Sequence, residues 1–213
     1  MEHLWLVLAI AASALYALSN LVDARLVRNV LRDPLAITAI VGLSFIVVAI
    51  LFICLHGITW IGWQSTSLAF GTGLISVLVY YPYFLALQTA DTARVLQLWN
   101  LTPFFIVIFA LGLFREQLPW VDYVGVMLLI TSASIAGMIR KEKQTTSART
   151  SVILTMLFAS ILYALQNVFQ KILYTQAGFE QGYIYFSFAS FLAGLLIITL
   201  STPTRQHLRT QFS

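Results

Sequence analysis

Seven long apolar runs leave this chain few folds to adopt. They occupy residues 4–22, 35–55, 68–90, 95–114, 120–139, 151–174 and 183–200. Their only charges are Asp122, at the start of the fifth run, and Lys171, close enough to the end of the sixth to snorkel outward. As a helix rising ~1.5 Å per residue, each run is about long enough to cross a ~30 Å hydrocarbon core. Lipid cannot satisfy backbone polar groups, so continuous runs of this kind must be helical. A membrane barrel would show alternating strands of about ten residues instead. Composition agrees, since 9% of the residues are charged and 60% hydrophobic, where a soluble domain carries roughly 25% charge. The expected fold class is an all-α integral membrane protein with seven transmembrane helices, multi-pass in the plasma membrane.

A repeat organises the runs. Ala12-Ser13-Ala14-Leu15-Tyr16-Ala17-Leu18-Ser19-Asn20 recurs 147 residues later as Ala159-Ser160-Ile161-Leu162-Tyr163-Ala164-Leu165-Gln166-Asn167, identical at seven of nine positions without a gap. Shared Ala and Leu mean little in apolar runs, but a shared Asn is costly inside a membrane. The spacing is far longer than a solenoid period and fits a duplicated multi-helix bundle, the plan of many secondary transporters. It predicts one complete five-helix unit over residues 1–139, a basic linker over 140–150, and the first two helices of a second, inverted unit over 151–213. On that arithmetic about three helices would be needed to complete the second unit, so the chain reads as a ten-helix plan cut after its seventh. The same motif recurs internally and Met1-Glu2-His3 carries no basic residue run, so the first segment is a mature helix rather than a signal peptide.

Short connections force antiparallel neighbours. Asp91 is placed to N-cap the fourth helix and Pro119 to open the fifth. Trp60 and Trp63, in a loop over 56–67 without Lys or Arg, suit an aromatic belt at the headgroups. Of the 12 Lys and Arg residues, ten fall on one side: Arg25, Arg28, Arg32, Arg94, Arg140, Lys141, Lys143, Arg149, Arg205 and Arg209. Arg115 and Lys171 fall on the other. The positive-inside rule then puts the N-terminus outside.

Polar residues inside the runs mark candidate sites. Tyr16 and Asn20 share one face of the first helix, and Tyr163 and Asn167 repeat it in the sixth, with Gln166 alongside. In an inverted repeat these faces meet near the midplane, where transporters hold substrate. Interhelical hydrogen bonding, at about 1 kcal/mol each, explains the amides equally well. In the third run Tyr80, Tyr81 and Tyr83 surround Pro82, which removes a backbone hydrogen bond and bends a helix. Gln97 and Asn100 share a face of the fourth run, before Pro103, and that face is expected to point into the bundle.

These pieces carry a resemblance. Tyr83-Phe84-Leu85-Ala86-Leu87, then Leu101-Thr102-Pro103-Phe104-Phe105, then Arg115-Glu116-Gln117-Leu118, then Gly125 and Gly137 occur in that order on successive helices. The chain resembles EamA-type transporters of the drug/metabolite transporter superfamily, built from two repeats of five helices. The resemblance implies a permease or exporter moving small metabolites or drug-like solutes by alternating access, with Pro82, Pro103, Glu116, Gly125 and Gly137 as structural motif residues. Glu116, in a loop joining two helices, suits capping more than substrate contact. The family usually has a cytoplasmic N-terminus, opposite to the indication from the basic residues.

Enzyme chemistry finds no foothold. His3, His56 and His207 lie outside the runs, no metal-ligand or nucleophile motif occurs, and the acids, Asp23 among them, fall in loops or at helix ends. No catalytic residue, metal or cofactor is expected, and no nucleic-acid module interrupts the helices. Cys54, the single cysteine, reads as an ordinary apolar-run side chain. The expected partners are the lipid bilayer and a small-molecule solute, one suited to neutral polar and aromatic walls: zwitterionic, amide or aromatic. The competing reading is a transport-incompetent remnant or membrane interaction protein that needs a partner, a homodimer mate or a complementing fragment, to supply the missing helices.

Overall fold

The computed structural model describes residues 4–31, 33–114, 119–139, 146–201 and 204, without the side chains at 4, 5, 114, 122, 132–139 and 146–149. The helices are α1 (Leu4–Arg25), α2 (Pro34–His56), α3 (Gly62–Thr89), α4 (Thr92–Trp99), α5 (Thr102–Phe114), α6 (Trp120–Ile139), α7 (Thr146–Ala177) and α8 (Phe179–Leu200). Among the described residues there is no strand. Six segments are long and apolar enough to cross a membrane, with α4 and α5 counting as one. The remaining expected span, the fifth, forms α6, a helix of 20 residues that is not among those six. The chain is an all-helical, multi-pass integral membrane protein.

Local chemistry explains the boundaries. The last turn of α1 continues as a π-helical turn over Leu26–Val30, closed by Leu31 N–H donating to Leu26 O at 2.8 Å. That turn extends the first span to Val30, eight residues past the expected end. It also delivers Arg28 to the C-terminus of α3, where the guanidinium donates to Leu87 O at 3.1 Å and Ala90 O at 2.6 Å. A cation on the last carbonyls of a helix satisfies orphan acceptors and complements the helix dipole. Asp33 caps α2 by accepting from Leu35 N–H at 3.0 Å, with Pro34 in the first turn. Asp91 holds the expected N-cap position of α4, without a side-chain capping bond.

Proline acts at a different place from the one expected. α3 runs unbroken through Pro82. The break falls at Asn100–Leu101, between α4 and α5. A continuous helix would need an N–H at position 103 to reach the carbonyl of Trp99, and Pro103 has none. The Thr102 hydroxyl takes that carbonyl instead, at 2.7 Å.

α8 packs against α2 and α3 through small residues. A methyl on Gly42 would lie 2.7 Å from Gly194 Cα, and one on Gly73 would lie 2.6 Å from Ala189 Cβ. Close backbone approach through small residues is how membrane helices gain dispersion contacts. Ser76 and Ser190 add a buried hydroxyl pair at 3.0 Å across the same seam. α7 lies along α3, where Met156 and Ala159 join Val79, Tyr83, Phe84 and Leu87 in the main core. α1 and α6 are peripheral, and Leu6, Val7, Leu8, Leu15 and Leu18 of α1 and Met127 and Leu128 of α6 face outward. In lipid an exposed apolar face of this kind carries no penalty. Trp63, 80% exposed, begins α3 rather than lying in a loop, with its ring edge-on to Trp60 at 4.9 Å. Cys54 is exposed on α2.

Candidate functional site

Tyr16, Asn20 and Asp23 lie at i, i+4 and i+7 on α1, one face of the helix. Most of the remaining α1 side chains are exposed, and Asn20 on this face, with Ala24 beside it, is what α1 buries against the bundle. Asn20 is 5% exposed, and its Oδ1 accepts from the Tyr83 hydroxyl at 3.0 Å. The Tyr16 hydroxyl interacts with the side chains of Asn20 and Trp99. A buried amide paired with a phenol avoids an unsatisfied polar group in hydrocarbon.

Around that bond the aromatic rings close up. Tyr83 lies 5.1 Å from Trp99 and 5.3 Å from Phe84, centroid to centroid. Tyr80 stacks on Phe84 at 5.8 Å and 22°. Trp99 in turn lies 4.8 Å from Tyr163 of α7. These separations fall in the range where ring quadrupoles attract. The Tyr16 and Tyr163 hydroxyls are within electrostatic reach of each other, and both act on Tyr80. Four elements (α1, α3, α4 and α7) thus converge on one aromatic cluster. The break after α4 is what turns Trp99 inward, to 9% exposure. Ser160 of α7 fastens that turn by donating to Leu98 O at 3.1 Å.

Of the residues singled out from sequence, Tyr16, Asn20, Tyr80, Tyr83 and Tyr163 meet here, with Pro82 buried beside them. Tyr81 turns to the exposed side of α3 and Asn100 is exposed at the break, while Gln97 is half-buried. The inward face of α4 is therefore Val95 and Trp99, rather than Gln97 and Asn100. Asn167 does not copy Asn20: its Nδ2 donates to Tyr163 O of its own helix at 2.7 Å. Gln166 is buried, with Nε2 donating to Gln170 Oε1 at 3.0 Å and Oε1 without a partner among the described residues. Gln170 continues the ladder by donating to the Tyr174 hydroxyl. Pro103 is half-buried in the first turn of α5, and among the described residues nothing lies within 4 Å of a Cβ built on Gly125 of α6. Glu116 and the surroundings of Gly137 lie outside the described residues.

Three members went unread in the sequence. Trp99 was visible only as part of a polar stretch. Ser160 lay in the repeat motif without a partner to suggest its bond. Asp23, expected in a loop, is half-buried within the first span, within electrostatic reach of Tyr16, Tyr80 and Tyr83. Its spacing from Asn20 was the available signal.

Further along the same helix pair, an open groove of about 370 Å³ runs between Gln64, Ser67 and Thr72 of α3 and Phe169, Ile172 and Gln176 of α7. Among the described residues no group of three or more His, Cys, Asp or Glu could hold a metal ion. The cluster offers ring faces, four tyrosine hydroxyls and an amide.

Comparison with known proteins bears on the identity of this bundle. No curated protein and no solved structure matches the chain. The model of the EamA-like transporter family matches residues 3–138, which cover α1 to α6 and take in every cluster member except Ser160 and Tyr163 of α7. The chain belongs to the EamA-like transporter family.

Proposed function

We propose that this protein is a secondary transporter of the plasma membrane that carries small metabolites or drug-like solutes by alternating access. In this reading the cluster of Tyr16, Asn20, Tyr80, Tyr83, Trp99 and Tyr163 holds the solute. The observation that carries it is the convergence of two repeat tyrosines, one from α1 and one from α7, on Trp99 and Tyr80. Ligand sites are mostly apolar and aromatic with a few placed polar groups, and the cluster has that composition. The break at Asn100–Leu101 supplies a hinge directly beside it, as discontinuous helices do in transporters. An ancestral five-helix unit, copied with inverted topology, would place Tyr16 and Tyr163 on opposite sides of one axis. The amide and phenol groups orient the solute, and no covalent step is required.

Solute flux in proteoliposomes tests this reading. Asn20→Leu should abolish flux of a transported solute, while Tyr81→Leu on the exposed face of α3 should leave it unchanged. Both variants are to be matched for melting temperature with the unaltered chain. Full flux in a folded Asn20→Leu protein would overturn the site.

A further inference from the structure

The groove between α3 and α7 leads to the aromatic cluster. Its mouth lies at one end of both helices. Gln64 follows Trp63, whose exposed ring meets Trp60, and Gln176 is the last residue but one of α7. From Gln64 to Ile75, the two ends of its α3 wall, is ~16 Å at ~1.5 Å per residue. That is about half of a ~30 Å hydrocarbon core, so the groove reaches the middle of the bilayer. Ile75 also packs against the core that contains Tyr83 and Trp99, and Tyr80 and Tyr163 pack against that same core. The groove therefore ends where the cluster begins.

Its walls are neutral and can hydrogen-bond. Among the described residues that line it, none is charged. Ser67 and Thr72 donate to carbonyls of their own helix, Gln64 O at 2.8 Å and Leu68 O at 2.7 Å, so each hydroxyl oxygen is left as an acceptor. Gln176 Oε1 accepts from the Ser65 hydroxyl at 3.3 Å, which leaves the NH2 group of that amide to donate. Phe169, Ile172 and Ile75 supply apolar surface between these groups. A charged solute would travel to mid-membrane with no counter-charge on these walls, and such burial is expensive. An acyl chain would cover the donors and acceptors without pairing them. At about 370 Å³ the groove falls in the ~300–1,000 Å³ range of ligand sites. Resting on the assignment of the aromatic cluster as the solute site, we propose that this groove is its entrance and that the solute is uncharged, a flat apolar body carrying amide or hydroxyl groups. The polar groups are met first by Gln176, Ser67 and Thr72, and the flat body then passes Ile75 to stack on the rings.

The test uses nicotinamide, a neutral amide on an aromatic ring, beside the anion nicotinate and the cation 1-methylnicotinamide, which share that ring. In a chain carrying Cys54→Ala and Ser67→Cys, held in lipid nanodiscs, the new thiol should react with a water-soluble, membrane-impermeant maleimide. Nicotinamide should slow that reaction at least fivefold and saturably, and the two charged relatives should leave it unchanged. Gly71 lines the groove, and among the described residues nothing lies within 4 Å of a Cβ built there. Gly71→Leu should therefore plug the groove without disturbing the fold and cut nicotinamide flux in proteoliposomes at least tenfold. Leu74→Phe, on the exposed side of α3, should leave that flux unchanged. An unreactive thiol, which would mean that lipid fills the groove, would overturn the proposal. So would absent protection by nicotinamide, equal protection by the charged relatives, no nicotinamide flux, or full flux in a folded Gly71→Leu protein. Asn20→Leu separates this from the cluster itself. Flux lost there but kept in Gly71→Leu would leave the cluster standing and remove the entrance, and the opposite pair of results would move the solute site from the cluster to the groove.

Discussion

The crossing of α2 and α8 can be tested with a single methyl group. A Cβ placed on Gly194 would lie 2.7 Å from Ala39 O, 2.8 Å from Leu43 N and 2.9 Å from Gly42 C. All three are backbone atoms of α2, so no side chain can swing away. Restoring a ~3.5 Å contact requires the helices to part by ~0.8 Å along a seam held by dispersion. Overpacking of this kind costs about 1–3 kcal/mol, and a backbone–backbone clash belongs at the upper end. Alanine also gains about 1 kcal/mol over glycine in helix propensity, so Gly194→Ala should destabilise by a net ~2 kcal/mol. Gly112 of α5 provides the reference, because among the described residues nothing lies within 4 Å of a Cβ built there. Gly112→Ala retains only the propensity gain, which separates the two variants by ~3 kcal/mol. Denaturant titration in mixed micelles, extrapolated linearly, measures the difference. Equal shifts of the same sign in the two variants would refute the close crossing.

The α3–α8 seam should trap a disulfide. With Cys54 replaced by Ala, Ser76→Cys with Ser190→Cys should cross-link under mild oxidation, because the two hydroxyl oxygens lie 3.0 Å apart. Failure to cross-link in a folded protein would contradict that packing. At the helix break, Thr102→Val should cost about 1 kcal/mol by orphaning the Trp99 carbonyl. Pro103→Ala in the same chain should recover most of that loss, because a restored N–H can take the carbonyl. Melting curves of the single and double variants decide it, and an unrecovered loss would place the effect elsewhere.

The helices were legible because lipid leaves a long apolar run no other structure, but their ends were not. α3 begins at Gly62, six residues before the expected start, and the hydroxyls that make its first turns polar are satisfied by carbonyls of the same helix. Thr66 Oγ1 donates to Gly62 O at 2.8 Å, and Ser67 Oγ to Gln64 O at 2.8 Å. The same mechanism lets Ser and Thr extend an apolar run that hydropathy cuts short. The Tyr-and-Asn motif pointed to Tyr16, Asn20 and Tyr163 of the aromatic cluster. Identical residues on α1 and α7 nonetheless behave differently, Asn20 bonding across to α3 and Asn167 to its own turn, since neighbours rather than sequence select the acceptor. Asp23 was misplaced because nothing local announces a π-helical turn, and that turn carries the first span to Val30. Trp99 was hidden because its inward rotation depends on the break that Pro103 imposes four residues later.

One measurement bears directly on the claim that this aromatic cluster holds the solute. With Trp5, Trp60, Trp63 and Trp120 replaced by Phe, Trp99 becomes the sole indole, and its emission can be followed in proteoliposomes while a solute is transported. The account predicts a saturable change in Trp99 emission with the same concentration dependence as the flux. Saturable flux with Trp99 emission unchanged would contradict it.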